Sequence, residues 1–299
     1  MRVLDEVRNY AATVAASARA VHIQPAAIAS YAGSLHVETA RAPELDPASH
    51  YLGAPDPTLA YLVTLDAINF GSGYFPHLQK RPGLSGYFTV ASSLKDRWPL
   101  SVDQLRRLAA SDCALIFGQS HPDDAIDELM RLFARALNDL GEYVTTRFGG
   151  SFQALVQAAD DSAEQLVTIL SEMPLYRDVG FYKRAQLTAA DLSLAGVADF
   201  SDLDRLTMFA DNLVPHVLRV DGVLAYEAEL LARIQREELI EAGSAEEIEI
   251  RACALHAVEL IKAYLPGVTA MQLDYVLWNR GQRPEFKAQP RHRTRTVFY

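Results

Sequence analysis

Cysteine is scarce: Cys113 and Cys253 are the only two in 299 residues. Each sits in an apolar run at no metal-ligand spacing, which excludes a disulfide framework and a thiolate metal site and points to buried thiols in reducing surroundings. No segment approaches the roughly 20 uninterrupted apolar residues of a membrane helix. The stretch from Val3 to Val21 carries Asp5, Glu6, Arg8 and Arg19 and lacks a signal-peptide core, so the expectation is a soluble, cytoplasmic protein with no membrane partner. Positive charge is also short, with 28 basic against 38 acidic residues and a formal net charge of −10. That balance argues against a stable DNA or RNA partner held through phosphates and suits a small-molecule substrate. The eight histidines show no H-x-x-x-H spacing, there is no G-x-S-x-G elbow, and the glycines match neither nucleotide fingerprint. No metal and no organic cofactor are expected. Repeats, low-complexity tracts and Pro/Gly/Ser linkers are missing too, so residues 1–299 read as one domain with a soft internal boundary near 90–100.

What the chain has is helical periodicity. Apolar residues recur at three- and four-residue intervals through 3–20, 58–70, 102–117, 123–144, 151–172, 203–220, 224–242, 245–264 and 270–279, which predicts a mainly α fold, a helical bundle. Capping-box spacings at Ser101/Gln104, Thr188/Asp191, Ser201/Asp204 and Ser244/Glu247 fit helix starts. A minor β element is expected at Ser85–Val90, where aromatic and β-branched residues follow the Pro82-Gly83 turn.

Within 203–220, Leu206, Phe209, Leu213 and Val217 form the predicted buried stripe and leave Asp211 off it. Pro215 has no N–H for the carbonyl of residue 211, so the spacing predicts a helix opened there. Asp211 is then either a solvated acid in a helix end or an acid aimed into a cleft. Asp66-Ala-Ile-Asn69-Phe70-Gly71-Ser-Gly73-Tyr74-Phe75 ends a helix in a loop where Phe70 could stack on a planar ring and Asn69 bond to its edge; a C-capping glycine with core aromatics is the other reading. Asp274 and Trp278 share a helix face and suit a cationic or hydrogen-bond-donating ring. Phe181-Tyr182-Lys183-Arg184 joins aromatic and basic groups in a way that suits a phosphate monoester. The basic tail from Arg283 closes on Val297, Phe298 and Tyr299, residues that favour burial, so the tail is expected to be ordered and to carry its arginines to a specific place.

Together, the Asp66–Pro76 stretch, Phe181-Tyr-Lys-Arg-Ala-Gln-Leu, Leu206-Thr-Met-Phe-Ala-Asp211-Asn-Leu-Val-Pro and Arg293-Thr-Arg-Thr-Val-Phe-Tyr299 resemble the queuosine salvage protein family, from about residue 10 onward. The resemblance implies an N-glycosidase that releases queuine, a 7-deazaguanine base, from queuosine 5′-monophosphate, on a helical fold similar to that of DNA glycosylases. The family's Phe-x-Asp motif falls on Phe209 and Asp211, implying a base-contacting ring and the catalytic carboxylate. Its acid in the last helix falls on Asp274, and the aromatic that follows, often Tyr, is Trp278. Its histidine is matched by His50, with His36 as competitor. Asp274 or Asp199 would pair with the amine of the substrate's cyclopentenediol arm, and Lys183, Arg184 and the tail arginines would hold the 5′-phosphate. Two further hypotheses are a helix-hairpin-helix DNA glycosylase, disfavoured by the acidic balance, and a non-catalytic nucleotide-binding module.

Overall fold

The computed structural model describes residues 2–37 and 44–299. Among these residues the chain forms fifteen α-helices and a single two-stranded sheet, the mainly α architecture that the periodicity predicts. No helix is long and apolar enough to cross a membrane. Two apolar cores organise the helices. The first surrounds the amphipathic helix Asp124–Phe148, whose Leu129, Phe133, Leu137 and Leu140 are fully buried and which packs on Pro55–Ala67, Val102–Leu105, Ala110–Ile116 and Phe152–Gln157; Ala163–Leu170 and Lys183–Leu194 join the same core. Asp123 starts the long helix by accepting from the amides of Ala125 and Ile126 at 2.9 and 3.1 Å, a cap that stabilises a helix by about 1 kcal/mol. The second core surrounds Ala245–Lys262, against which Val3–Ser17, Pro25–Ser34, Leu213–Val220 and Ala270–Arg280 pack. The cores interleave along the chain: Val3–Ser17 joins the second, while Val90 and Leu94, inside the predicted soft boundary, belong to the first.

Several local expectations are overturned. Ser85–Val90 is not a strand; Ser85 caps the helix Gly86–Arg97 by accepting from Phe88 N at 3.3 Å, and a cap plus three buried helix turns outweighs β propensity. The sheet lies elsewhere, pairing Val21–Ile23 antiparallel with Leu224–Tyr226, so the predicted helix 224–242 is shortened to Ala228–Gln235. The predicted 151–172 helix is broken at Asp160 and Asp161, both at positive φ, before Ser162 caps a new start at Gln165 N. Ser101/Gln104 forms the predicted capping box, whereas Thr188 lies inside Lys183–Leu194 and donates to Arg184 O, and Ser201 donates to Asp161 O. A box at Thr269/Gln272 was not predicted.

Residues 203–220 are not one helix opened at a proline. A single 3₁₀ turn, Leu203–Arg205, gives way to an irregular segment, and the helix begins only at Leu213. Pro215 is the third residue of that helix, within the first turn, where a missing N–H costs nothing because first-turn amides have no carbonyl partner. The tail is ordered and buried: His292, Thr294 and Tyr299 are at most 2% exposed. It crosses between the two halves of the molecule, with Arg293 O accepting from Ile240 N at 2.8 Å and Tyr299 O accepting from Gly71 N at 3.0 Å. Gly73 makes the passage possible, since a Cβ there would collide with the Thr294 carbonyl.

Candidate functional site

The irregular segment Leu206–Asn212 is held across its length by side chains from elsewhere in the chain. Thr207 N donates to Gln186 Oε1 at 2.8 Å, and Phe209 N donates to Asp274 Oδ1 at 2.9 Å. Asp211 follows, half-buried, at the mouth of the helix Leu213–Val220, where its Oδ1 accepts from Leu213 N at 2.7 Å and Val214 N at 3.2 Å. These amides fix the carboxylate at the helix end. Oδ2 makes no hydrogen bond among the described residues, so one face of this acid is open to a ligand.

Three charged groups face Asp211: Asp274, Lys183 and Arg291. Asp274 is buried, and burial followed by the charge of Asp211 pushes its pKa well above the usual carboxylate range. With Oδ1 engaged by Phe209 N, its Oδ2 is the oxygen left to carry a proton. Burial lowers the pKa of Lys183, against which Asp211, Asp66 and Asp274 act to keep it charged. Behind Lys183 lie two more buried carboxylates, Asp66 and Asp191, both raised first by burial. Tyr275 has its buried hydroxyl beside Asp191, and its ring meets that of Phe209 edge-on at 6.4 Å.

An aromatic wall faces these acids. Trp278 meets Phe88 edge-on at 6.4 Å, and Phe88 meets His50 at 6.2 Å. His50 Nδ1 lies 2.9 Å from the Asp46 carbonyl, which can only accept, and Nε2 lies 2.8 Å from the Tyr87 hydroxyl. Burial lowers the His50 pKa, so the ring is neutral with its proton on Nδ1, and Tyr87 donates to Nε2.

The candidates that gather here are therefore Asp211, Phe209, Asp274, Lys183, Trp278 and His50. Asn69 joins through Asp66, donating to its Oδ1 at 3.3 Å. Other candidates do not gather. Phe70 is 2% exposed, packed edge-on to Phe133 and under the Arg184 guanidinium, so no base can stack on it. Arg184 is equally buried and spends its donors on the carbonyls of Asp66, Ala67 and Leu175 between the rings of Phe70 and Tyr176, which removes it from phosphate binding. Asp199 is exposed in a separate surface hollow with Asp161 and Gly196. His36 is exposed, whereas His50 is 3% exposed and in the wall. Sequence reasoning missed Asp191, Tyr87, Phe88 and Tyr275 as site residues. Tyr275 carried a signal, since it adjoins Asp274; Asp191 carried none, because an acid inside a helix looks solvated until its face is known.

The raised pKa of Asp66 predicts a pH dependence of stability. A carboxyl held at about 6 in the folded chain against an ordinary 3.8 binds its proton more tightly folded than unfolded. Its contribution is complete below the ordinary value and is lost as pH rises through about 6, amounting to about 3 kcal/mol by pH 8. In Asp66→Asn, Tm should fall less between pH 5 and pH 8 than in the unaltered protein; parallel Tm–pH curves would contradict this origin.

Residues 49–299 match the family described as queuosine salvage protein. The chain is 34% identical over 311 aligned positions to the queuosine 5′-phosphate N-glycosylase/hydrolase of Sphaerobacter thermophilus, spanning 96% of this chain and 95% of that protein. Its identity to the protein of the same name from Bos taurus is 35%, over 67% of this chain and 64% of that protein. Against the Dictyostelium discoideum protein of that name it is 31%, over 81% and 78% respectively.

Proposed function

The chain belongs to the queuosine salvage protein family, and on that premise we propose that it hydrolyses the N-glycosidic bond of queuosine 5′-monophosphate, releasing queuine for return to tRNA modification. It works on the free nucleotide in the cytoplasm, without a nucleic-acid or membrane partner. The observation that carries this reading is Asp211, a carboxylate fixed by two helix-end amides with its second oxygen free, set beside a buried acid, a buried lysine and a set of aromatic rings.

Breaking the bond builds positive charge on the ribose, and a fixed carboxylate at the anomeric carbon stabilises that charge. Asp211 Oδ2 is the atom available for it. The departing 7-deaza base has carbon where a purine has N7, so protonation there cannot improve the leaving group, and the developing negative charge must be met at the base's other polar edges. Asp274, kept protonated by burial and by Asp211, supplies a donor for that purpose. Phe209, Tyr275 and Trp278 supply ring faces, and neutral His50 with Tyr87 fixes the opposite wall. Lys183, surrounded by Asp66, Asp191 and Asp274, acts within this acidic group and not at the phosphate.

That leaves the tail for the 5′-phosphate. Arg293 pairs with Glu237 at 2.8 Å and Arg295 faces Glu128 at 3.9 Å, while Arg291 has no hydrogen bond among the described residues and interacts with Asp211 through charge. A charged contact to phosphate is worth about 1.5–3 kcal/mol. Arg291→Met should therefore raise KM for the nucleotide at least about tenfold with a smaller change in kcat, and leave the nucleoside queuosine unaffected. Equal effects on both substrates would remove Arg291 from the phosphate. The reaction itself is tested by incubating the protein with queuosine 5′-monophosphate, and with GMP as control, and following free base by chromatography and mass. Release of queuine is expected; binding without release would replace the enzyme by a nucleotide-binding module.

A further inference from the structure

Behind the site lies a buried ion pair that the chemistry above does not use. Arg251, in the middle of Ala245–Lys262, is 2% exposed; Asp178, in the loop before Lys183–Leu194, is 4% exposed. The pair is bidentate, with Arg251 Nη1 donating to Asp178 Oδ1 at 3.0 Å and Nη2 to Oδ2 at 2.5 Å. Arg251 Nη1 also lies 3.5 Å from Glu247 Oε1, one helix turn away and equally buried, and each member of the pair has a further hydrogen bond that runs to the site. Arg251 Nε donates to Ala210 O at 2.9 Å, the carbonyl of the peptide unit that leads into Asp211. Asp178 Oδ2 accepts from Lys183 N at 3.2 Å, the first residue of its helix. The guanidinium is also packed 4.0 Å from the Phe181 ring and 4.7 Å from that of Tyr299.

We propose that Asp178 and Arg251 form the positioning node of the site, one charge holding the main chain that presents Asp211 and the other the main chain that presents Lys183. This inference rests on the catalytic reading of Asp211 given above. Stability is a poor explanation of the pair, because desolvating two charges costs as much as their attraction returns, and apolar replacements of both partners are often neutral or stabilising. Geometry is a better one. Residues 206–212 have no helix or sheet ladder of their own, so the aim of Asp211 depends on bonds from outside: Gln186, Asp274 and Arg251. The other arm meets the same need, because Tyr182 precedes Lys183 at φ +49°, an uncommon conformation for a side chain with a Cβ, and the Asp178 carboxylate and carbonyl hold that turn through the amides of Lys183, Tyr182 and Phe181. A planar guanidinium reaches a carbonyl and both carboxylate oxygens at once; an ammonium cannot satisfy the three from one fixed position. Because misplacing a catalytic group by about 1 Å can cost about 10²-fold in rate, loss of the node should appear in kcat.

Two variants test this: Arg251→Lys, and the double replacement Asp178→Leu with Arg251→Met, which removes the pair's two charges together and leaves Glu247 with the Gly243 amide as a partner. Queuine release, thermal unfolding and hydrogen exchange of the peptide covering 206–214 are measured on each. The expected result is folded protein with kcat reduced about 30-fold in R251K and about 100-fold in the double variant, KM within about threefold, and faster exchange at the Leu213 and Val214 amides that Asp211 caps. A folded variant with kcat within threefold of the unaltered protein, or with unchanged exchange in 206–214, overturns the proposal. So does loss of the cooperative unfolding transition in both variants, which would make the pair a folding element. If the unaltered protein released no queuine while the double variant still lost protection over 206–214, the proposed reaction would fail and the node would stand.

Discussion

Asp211→Asn should release queuine from queuosine 5′-monophosphate about 10²–10³-fold more slowly than the unaltered protein while melting within a few degrees of it. The substitution separates two roles of one side chain. Asparagine keeps an oxygen for the amides of Leu213 and Val214, and it caps helices about as well as aspartate, so the local structure survives. What it loses is the charge. A fixed charge or donor aimed at a developing transition-state charge contributes about 3–4 kcal/mol, which is the source of the predicted 10²–10³ loss. KM should change little, because the oxocarbenium charge is absent from the ground state. Steady-state release and a thermal melt on the same preparation check both halves. A folded variant retaining more than a tenth of the rate would move the catalytic acid elsewhere, and Asp274→Asn would then be the next substitution.

Removing the tail after Pro290 should eliminate the folded protein. Sequence reasoning expects an ordered tail that carries its arginines to the phosphate. The structure makes it part of the interior, with His292, Thr294 and Tyr299 at most 2% exposed and the Arg293 and Tyr299 carbonyls bonded to Ile240 and Gly71. Deleting one buried aromatic costs about 3–5 kcal/mol, and the truncation removes Tyr299 with its buried neighbours and leaves the Arg251 guanidinium without one of its two rings, against a total stability of about 5–15 kcal/mol. Aggregation, or circular dichroism without a cooperative melt, is the expected outcome; a soluble truncated protein with an unchanged Tm would show the tail to be dispensable. Gly73→Ala probes the same passage more gently, since its methyl group meets the Thr294 backbone, and Tm should drop by several degrees with the fold kept.

The parts of the site that were legible in the sequence share one property: the side chain declares itself next to a local signal. Asp211 stands beside Pro215, Asp274 sits four residues from Trp278 on one helix, and Lys183 follows two aromatics. The errors also have one cause. Pro215 reads as a break within a helix but belongs to the first turn of one, because the apolar spacing of Leu206, Phe209, Leu213 and Val217 is also produced by an irregular segment that runs into a short helix. Arg184 and Phe70 looked ready for a ligand because their types suit phosphates and rings. Each is instead the other's partner in the first core.

By itself the sequence determined the helical class and the acidic balance that disfavours a nucleic-acid-gripping role, and its ordered motifs carried the resemblance to the family and singled out Asp211 as the candidate acid. These follow from composition, periodicity and ordered motifs, all carried by residues close together in the chain. Only the tertiary structure decided which charges meet that acid. Lys183, Asp211, Asp274 and Arg291 come from four separate stretches, and the pair proposed to position Asp211 and Lys183, Asp178 with Arg251, is 73 positions apart. Charge interactions depend on distance and desolvation in space, and neither is written in local order; it took the packing of the two cores against the returning tail to bury these groups together and leave one oxygen of Asp211 open.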